Sequence, residues 1–285
     1  MLSVFSAWDG RACAMLLGGF DGFHAGHRTL LNEAKQTGLP VGLVTIAGNK
    51  AGGDVFTLSE RRTIFRREGF AFAEEMLFSE IKEISARDFA RSLFSRFPIK
   101  AVYCGRDFRF GRGAEGDIEL LRKIAPCPVY ALPLLQEGGE KIAATKLKKY
   151  LSEGDMQGLK HVLGYDYFIE GVVEHGRQVG REYGFPTINV SFPGGKHPVK
   201  QGVYGGCTET DEGVYASVVN VGARPTFGVE ECAVEAYLEG FSGDLYGKTV
   251  KIRLKEFYRP IRKFESVEAL RAQLEQDKAR LEVLK

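Results

Sequence analysis

The pattern of apolar residues changes once along this 285-residue chain, near Gly164. Before that point, short continuous apolar runs such as AMLLGGF (14–20) and VGLVTIA (41–47) alternate with stretches of helical periodicity. Continuous apolar runs are typical of parallel strands buried on both faces, and strand–helix alternation indicates an open parallel sheet with right-handed crossovers. The first part of the chain therefore predicts an α/β domain.

Five helical stretches lie in this first part. HRTLLNEAKQTG is expected to end at Gly38 as its C-cap, and in SARDFARSLFSRF the pair Ser85 and Asp88 resembles a capping box. LSERRTIFRREG repeats the helical pattern, and a longer helical pattern runs from Ala144 to Leu163. Two further strands are expected in KAVYCG and PVYALPLL, with the helix DIELLRKIA between them.

After Gly164 the chain becomes strand-like. Short alternating stretches are separated by Gly, Pro and polar turns: YFIEGVVEHG, GVYGGCTE, VYASVVNVG, CAVEAYLEGF and KTVKIRLKEFY. Several short strands at near-even spacing predict a small barrel or sandwich. The final stretch, SVEALRAQLEQDKARLEVL, predicts an amphipathic helix with Ser266 as its N-cap. We expect one domain over residues 1–162 and a second over residues 163–285.

Composition excludes several classes of protein. A formal net charge of +2 provides no strong basic field for nucleic acid or a membrane surface. Five cysteines without CxxC spacing fit reduced thiols better than a disulfide framework or a zinc site. The N-terminal residues lack the pattern of a signal peptide, and no apolar run approaches the roughly 18 residues of a membrane span. We expect a cytoplasmic protein with small-molecule ligands, no nucleic-acid or membrane partner, and an oligomeric state that the sequence does not define.

The stretch GGFDGFHAGH (18–27) lies where the first strand is expected to lead into the first helix. In open α/β sheets that edge is where ligands bind, and free N–H groups at a helix N-terminus favour anions. Glycines allow close approach of the backbone to a ligand, and His24 and His27 can donate hydrogen bonds to phosphate oxygens. The geometry of a turn accounts for Asp21, and two surface histidines on a loop are the alternative explanation of the pair.

GGFDGFHAGH resembles the GxFDGxHxGH motif of nucleotidyltransferases, and in particular the FMN adenylyltransferase module of bacterial FAD synthetases. CGRDFRFGRGAEGD (104–117) is similar to the GxDFRFG segment of that module. The resemblance implies a Rossmann-like parallel sheet that transfers AMP from ATP to FMN, with His24 and His27 stabilising the transition state. The nucleotide-binding residues that it implies in this domain are Gly18, Phe20, Asp21, Gly22, Asp107, Phe108, Thr145 and Lys148.

Two segments depart from the family pattern. Where the family has TFxPHP after the second strand, this chain has TIAGNKAGGD (45–54), without histidine or proline. The family motif ISSTxIR stands here as IAATKLK (142–148), in which Lys148 keeps the charge of arginine but lacks its planar fork. A formal GxGxxG at 111–116 does not join a strand directly to a helix, which argues against a dehydrogenase.

The second half of the chain contains GRQVGREYGFPTINV (176–190). Its glycines would let a loop fold over phosphates, with Arg181 as a phosphate contact. The Thr187 hydroxyl and the Asn189 amide oxygen are hard oxygen ligands suited to Mg²⁺. The alternative is a β-turn in which Thr187 and Asn189 make local hydrogen bonds.

This stretch resembles the GRxxGFPTAN signature of riboflavin kinases, and GVYGG, NVGARPTF, VEAYLEGFSGDLYGK and RPIRKFES follow in the order of that family. The resemblance implies a six-stranded β-barrel in which Glu235 is the base that accepts the proton of the ribityl 5′-hydroxyl. The resemblance also implies nucleotide contacts at Gly180, Arg181, Gly184 and Pro186. It implies Thr187 and Asn189 as Mg²⁺ ligands, and Arg224, Lys263 and Phe264 as flavin contacts. Ile261 departs from the pattern, since the family often has glutamate there.

The two resemblances together imply a bifunctional riboflavin kinase and FMN adenylyltransferase, with riboflavin, FMN and ATP as ligands, ATP as co-substrate and Mg²⁺ as cofactor. Two alternatives remain open at this point. One is a monofunctional riboflavin kinase with a degenerate N-terminal nucleotide-binding domain. The other is a flavin-binding protein without catalytic activity.

Overall fold

The computed structural model describes residues 3–4, 8–48, 52–133, 135–137, 140–176, 184–226 and 229–284. The chain divides into two compact units, Met1–Leu147 and Lys148–Lys285. None of the described helices is both long and apolar enough to cross a membrane.

The first unit is a six-stranded sheet with helices. The strands of this sheet are β1 (Ser3–Val4), β2 (Cys13–Leu17), β3 (Val41–Ala47), β4 (Phe72–Leu77), β5 (Ile99–Gly105) and β6 (Val129–Leu132). Its helices are α1 (Ala25–Lys35), α2 (Leu58–Glu68), α3 (Phe78–Ile81), α4 (Ala86–Arg96) and α5 (Ile118–Ile124), and a short hairpin pairs β7 (Gln136–Glu137) with β8 (Glu140–Lys141). The strand order is β1-β4-β3-β2-β5-β6, with only β1 antiparallel to its neighbour among these strands. The predicted parallel α/β domain is confirmed.

Strand β4 was not among the expected strands because two acidic residues stand in its centre. Glu74 and Glu75 are almost fully buried. Arg96 Nη1 lies 2.5 Å from Glu74 Oε1, and Arg62 Nη2 lies 2.5 Å from Glu75 Oε2. A buried carboxylate requires a charged partner, and here the partners come from helices that are distant in sequence. Local patterning alone therefore reads FAEEML as surface sequence.

Two helix boundaries differ from expectation. Helix α1 has its C-cap at Gln36, and Gly38 adopts a left-handed conformation two residues later, with φ of +69°. The long helical pattern that ends at Leu163 is two helices, α6 (Ala144–Glu153) and α7 (Met156–Leu163). Gly154 has φ of +75° between them, and Asp155 accepts a hydrogen bond from Gly158 N at 2.8 Å, which starts a new helix. Ser85 caps α4 as expected, since its hydroxyl accepts a hydrogen bond from Asp88 N, but the hydroxyl also donates to Asp88 Oδ2, so the pair makes an N-cap rather than a full capping box.

The second unit is a closed six-stranded antiparallel barrel. Its strands are β9 (Tyr167–Glu174), β10 (Thr187–Ser191), β11 (Gly202–Glu209), β12 (Val214–Thr226), β13 (Val229–Leu238) and β14 (Thr249–Arg259). They close in the order β10-β13-β12-β11-β14-β9. Helix α8 (Val267–Ala279) follows, with Ser266 accepting a hydrogen bond from Ala269 N at 3.2 Å. The predicted barrel with a terminal helix is confirmed, and β10 begins inside the GFPTINV stretch.

Two buried thiols give the first unit a pH dependence. Cys13 and Cys104 lie on the neighbouring strands β2 and β5, and burial raises the pKa of each thiol from its usual value of 9 to about 11. Because the folded state favours the neutral thiol, this stabilisation is complete below pH 9 and is lost as the pH rises towards 11. Trp8 is the only tryptophan and packs on Phe72, with ring centroids 4.3 Å apart, so its fluorescence reports unfolding of this unit.

We expect the thermal midpoint seen by Trp8 fluorescence to fall by several degrees between pH 9 and pH 11. The double variant Cys13→Ala/Cys104→Ala is the control, and its midpoint should change less over the same interval. An identical pH dependence in that variant would contradict the assignment to these thiols.

Candidate active sites

The GGFDGFHAGH loop connects β2 to α1 at the carboxyl edge of the parallel sheet. The parallel strands lie in the order β4-β3-β2-β5-β6. From β2 the chain adds strands first on one side, β3 and β4, and then on the other, β5 and β6, so the direction of strand addition reverses between β2 and β5. Ligands bind at such a topological switch point. This topology brings the loop after β2 and the GRDFRFG loop after β5 to the same crevice, which explains why two motifs far apart in sequence meet.

The loop has an unusual backbone conformation. Gly22 has φ of +70°, which glycine adopts without strain, but Phe20 has φ of +44°. A left-handed conformation costs a residue with a side chain about 1–2 kcal/mol. The Phe20 ring is buried and meets the His27 ring edge-on, with centroids 4.9 Å apart.

His24 and His27 form one stacked pair. Their ring centroids are 3.7 Å apart and the ring planes differ by 19°. His24 is the N-cap of α1, and its carbonyl accepts hydrogen bonds from His27 N and Arg28 N. The two imidazoles therefore stand at the positive end of an 11-residue helix, where an anion is stabilised.

A cleft of about 370 Å³ opens over this loop. Seven of the residues expected from sequence line it together: Gly18, Phe20, Asp21, His24, His27, Asp107 and Phe108. The other three expected residues do not line the cleft. Gly22 is buried and Thr145 is exposed, while Lys148 belongs to the second unit.

Other lining residues had not been expected. Arg109, Lys141 and Leu135 line the cleft, and the Lys141 ammonium pairs with the Asp107 carboxylate. Ala143 and Ala144 also line it, so the two positions where IAATKLK lacks the serines of the family face the ligand space. The β7–β8 hairpin brings Lys141 there, and that contact has no local sequence signal.

Asp21 lines this cleft, but its carboxylate is engaged behind it. Asp21 is 2% exposed, and Oδ1 accepts hydrogen bonds from Val55 N at 2.9 Å and Phe56 N at 3.2 Å. Arg61 Nη2 lies 3.1 Å from the same oxygen. The carboxylate thus joins the motif loop to the segment that precedes α2.

The second site is a row of three polar side chains on adjacent barrel strands. Asn189 on β10 and Asn220 on β12 both lie directly opposite Glu235 on β13. Directly opposed residues share a face of the sheet, with Cβ atoms about 4.5–5.5 Å apart. Val190 and Val234, fully buried, occupy the other face of the same strands.

Gly176 provides room for this row. A Cβ atom at Gly176 would lie 2.2 Å from the Asn189 amide nitrogen, so only glycine permits the observed approach. The Asn189 side chain is 5% exposed. The glycine at the start of the glycine-rich stretch is therefore explained by packing against Asn189.

A cleft of about 310 Å³ lies over the face that carries Glu235. Thr187, Glu235 and Phe264, all expected from sequence, line it together. The lining residues that sequence reasoning missed are Phe185, Val203, Val218, Asn220, Tyr237, Arg259, Arg262, Leu270 and Leu274. Ile261, where the family pattern is broken, also lines it.

The remaining expected residues of this domain lie elsewhere. Gly184, Pro186 and Lys263 are exposed and do not line the cleft, and Asn189 is buried next to Glu235 without lining it. Gly180 and Arg181 lie outside the described residues, and Arg224 lies in β12 with its side chain outside them.

Helix α8 forms the apolar wall of this cleft through Leu270 and Leu274. Arg259 at the end of β14 fixes the helix, with Nε 3.0 Å and Nη2 2.7 Å from Asp277 Oδ2. Asp277 is 1% exposed. A buried, charge-assisted pair of this kind holds the helix in one position over the barrel face.

Glu235 is the only carboxylate among the described residues that line the second cleft. Its neighbour on the same face, Tyr237, is a neutral phenol, because burial and the hydrogen bond it donates to Glu239 Oε2 raise its pKa above the usual value near 10. The cleft thus combines the Glu235 carboxylate, the Asn220 amide and a large apolar wall. Within the described part of the chain, no cluster of three or more His, Cys, Asp and Glu side chains could hold a metal ion.

The two sites correspond to two known families. The FAD synthetase family model matches residues 7–146, and the riboflavin kinase family model matches residues 163–284. The first match covers the α/β unit with its stacked histidines, and the second covers the barrel with Glu235. The chain thus combines an FAD synthetase module with a flavokinase module.

Full-length relatives have the same combination. The bifunctional riboflavin kinase/FMN adenylyltransferase of Escherichia coli is 31% identical over 283 residues, which is 93% of this chain and 90% of that protein. The enzyme of the same description from Bacillus subtilis is 30% identical, again with 93% and 90% covered. This chain belongs to the family of bifunctional riboflavin kinase/FMN adenylyltransferases.

A solved structure has the same fold. The crystal structure described as a macrolide-efflux protein from Streptococcus pneumoniae is 26% identical and gives a TM-score of 0.83 over 94% of this chain and 93% of that one. The likeness shows that the two chains share a fold.

Proposed function

We propose that the chain makes FMN from riboflavin and ATP at the barrel site and FAD from FMN and ATP at the α/β site. The observation that carries the proposal is the presence of two separate, chemically distinct clefts, one around His24 and His27 and one around Glu235. The functional domains would be residues 1–162 and 163–285, with α6 and α7 as the connection between the two family matches.

In adenylyl transfer, an oxygen of the FMN phosphate attacks the α-phosphorus of ATP and pyrophosphate leaves. Negative charge shifts through the phosphoryl oxygens during this step, and donors that are already in place stabilise it. His24 and His27 would supply those donors at the N-terminus of α1. Their stacking and the Phe20 ring hold both imidazoles in one orientation.

In riboflavin phosphorylation, the ribityl 5′-hydroxyl oxygen attacks the γ-phosphorus of ATP and ADP leaves. Glu235 would accept the hydroxyl proton, since no other carboxylate among the described residues lines the cleft. The isoalloxazine ring would lie against the apolar wall of Leu270, Leu274 and Phe264. The proposed nucleotide contacts of this site are Gly180, Arg181, Gly184 and Pro186. The proposed flavin contacts also include Arg224 and Lys263.

Thr187 and Asn189 are suited to hold Mg²⁺ together with ATP phosphates. Both are on β10, two residues apart, so their oxygen atoms share a face next to Glu235. The space that Gly176 leaves for the Asn189 amide fits this role, because a Cβ atom there would displace the amide. When bound, Mg²⁺ would neutralise charge on the phosphates.

A monofunctional kinase is not favoured, because both family models match and the histidine pair lines a formed cleft. A non-catalytic flavin-binding protein is opposed by the full-length similarity to enzymes. We also propose a cytoplasmic location, which the five free cysteines support.

Glu235→Gln separates the two activities. We expect it to lower FMN formation from riboflavin by about a hundredfold or more, since the amide cannot accept the proton. FAD formation from supplied FMN should be unchanged. The measurement is chromatographic separation of flavins after incubation with ATP and Mg²⁺, started once from riboflavin and once from FMN. If both activities fall together, either the role of Glu235 or the two-site assignment is wrong.

Gly176→Ala tests the space beside Asn189. The added methyl should displace the amide and lower kcat for riboflavin phosphorylation by about tenfold, because misplacing a phosphate-positioning group impairs transfer. Gly194→Ala is the matched control, since Gly194 has open space around its Cβ position and no positive φ. Equal kcat in the two variants would contradict the role of Gly176.

A further inference from the structure

Arg61 on α2 is the largest fully buried side chain in the chain's described residues. It belongs to neither sequence motif, and its exposed fraction is 0%. Burial of an arginine is costly unless its donors are satisfied by charged and polar partners. Its surroundings explain how it is accommodated and what it holds.

The guanidinium reaches three segments that meet under the first cleft: the motif loop, strand β3 and the stretch that precedes α2. Nη1 donates to the carbonyl oxygens of Gly19 and Ile46, at 3.2 Å each. Nε donates to the Phe56 carbonyl at 3.1 Å. Nη2 lies 3.1 Å from Asp21 Oδ1 and 3.1 Å from Asp54 Oδ2.

These contacts lie on both sides of Phe20. Gly19 and Asp21 are the residues before and after Phe20, and Arg61 contacts both of them. Arg61 Nη1 also donates to the Thr45 hydroxyl at 3.4 Å, and that hydroxyl donates to the Gly19 carbonyl at 2.8 Å. A residue in a strained conformation persists only when its surroundings fix it. Arg61 therefore fixes the backbone that keeps Phe20 at φ of +44°.

The position of Phe20 is coupled to the imidazoles. Its ring packs edge-on against His27, and His27 stacks on His24. We propose that Arg61 is a positioning residue for adenylyl transfer, acting through Gly19 and Asp21 on Phe20 and through Phe20 on the histidine pair. This proposal rests on the proposed adenylyltransferase function of the first unit.

Asp54 extends the same network into the stretch TIAGNKAGGD. Its Oδ2 accepts a hydrogen bond from Gly48 N at 3.0 Å and lies beside Arg61. The segment that departs from the family pattern after β3 is thereby connected to the motif loop. Two carboxylates share one guanidinium, so Arg61 is required for charge balance as well as for shape.

Arg61→Lys is the principal test. A lysine keeps the charge, but its ammonium has three donors on one nitrogen and cannot reach three segments in the geometry of a planar fork. We expect kcat for FAD formation from FMN to fall by about ten- to a hundredfold, with KM for ATP within about threefold, because the loss is in orientation rather than in binding. We expect kcat for FAD formation to be lower in Arg61→Met than in Arg61→Lys. A higher kcat in the lysine variant would show that the positive charge contributes.

Arg62→Lys is the matched control. Arg62 is the next residue on α2 and makes a closer ion pair than Arg61, with Nη2 2.5 Å from Oε2 of buried Glu75, and its described contacts are with β4 rather than with the motif loop. We expect it to lower the unfolding midpoint seen by Trp8 fluorescence while kcat for FAD formation stays within about twofold. A loss of kcat in Arg62→Lys equal to that in Arg61→Lys would overturn the proposal, since it would indicate a general effect of stability.

Asp54→Asn is a second variant that tests the proposal even if Trp8 fluorescence shows that Arg61→Lys is unfolded. It removes one charge partner of Arg61 and keeps the size of the side chain and its oxygen. We expect kcat for FAD formation to fall by about threefold or more while the first unit remains folded. Unchanged kcat in a folded Arg61→Lys or Asp54→Asn variant would overturn the proposal.

Proton NMR of the imidazoles provides a readout without turnover. The chain has five histidines, and the signals of His24 and His27 can be assigned by their loss in His24→Asn and His27→Asn. We expect Arg61→Lys or Asp54→Asn to shift these two signals and Arg62→Lys to leave them in place. Unmoved signals would overturn the proposal. Absence of FAD formation by the unmodified protein would instead refute the proposed function, and the NMR result would still decide whether Arg61 positions the pair.

Discussion

Pairing of buried carboxylates with arginines is the constraint on which both units depend. A carboxylate removed from water needs a charged or hydrogen-bonded partner, and in each unit the partner belongs to another element of structure. Arg62 and Arg96 bind the two glutamates of β4, and Arg259 binds Asp277 of α8. Each pair joins a helix to a strand, so the charges that burial makes costly also define how the elements pack.

The two clefts use these attachments differently. In the first unit the ligand space is formed by loops, and its polar groups are held from behind by buried side chains such as Arg61. In the second unit the polar groups stand on rigid strands, and a helix provides the apolar side. Loops at a sheet edge can surround a polyphosphate with backbone N–H groups, whereas a flat barrel face covered by a helix fits an aromatic ring system.

Residues with local signals could be predicted, and residues placed by distant partners could not. VGLVTIA is strand β3 as expected, because its apolar run is continuous, and the Ser85 and Ser266 caps have hydroxyls followed by helical patterns. Strand β4 was not predicted because its two glutamates can be buried only when they pair with Arg62 and Arg96, which lie on other elements. The motifs pointed to His24, His27 and Glu235, but Asn220 becomes visible only when the register places it opposite Glu235. Arg61 likewise has no local signal in the sequence, because its contacts are with three segments that meet only in the folded chain.

The row of Asn189, Glu235 and Asn220 restricts how the length of this chain can vary. Successive residues of a strand point to opposite faces, so inserting or deleting a single residue in β13 ahead of Glu235 would turn its carboxylate into the barrel and bring Val234 to the cleft. Such a change would bury an unpaired charge and remove the proton acceptor in one step. Homologous chains can therefore vary in other side chains of β13 but not in the parity of the residue count ahead of Glu235, which makes this strand a fixed point for aligning distant relatives.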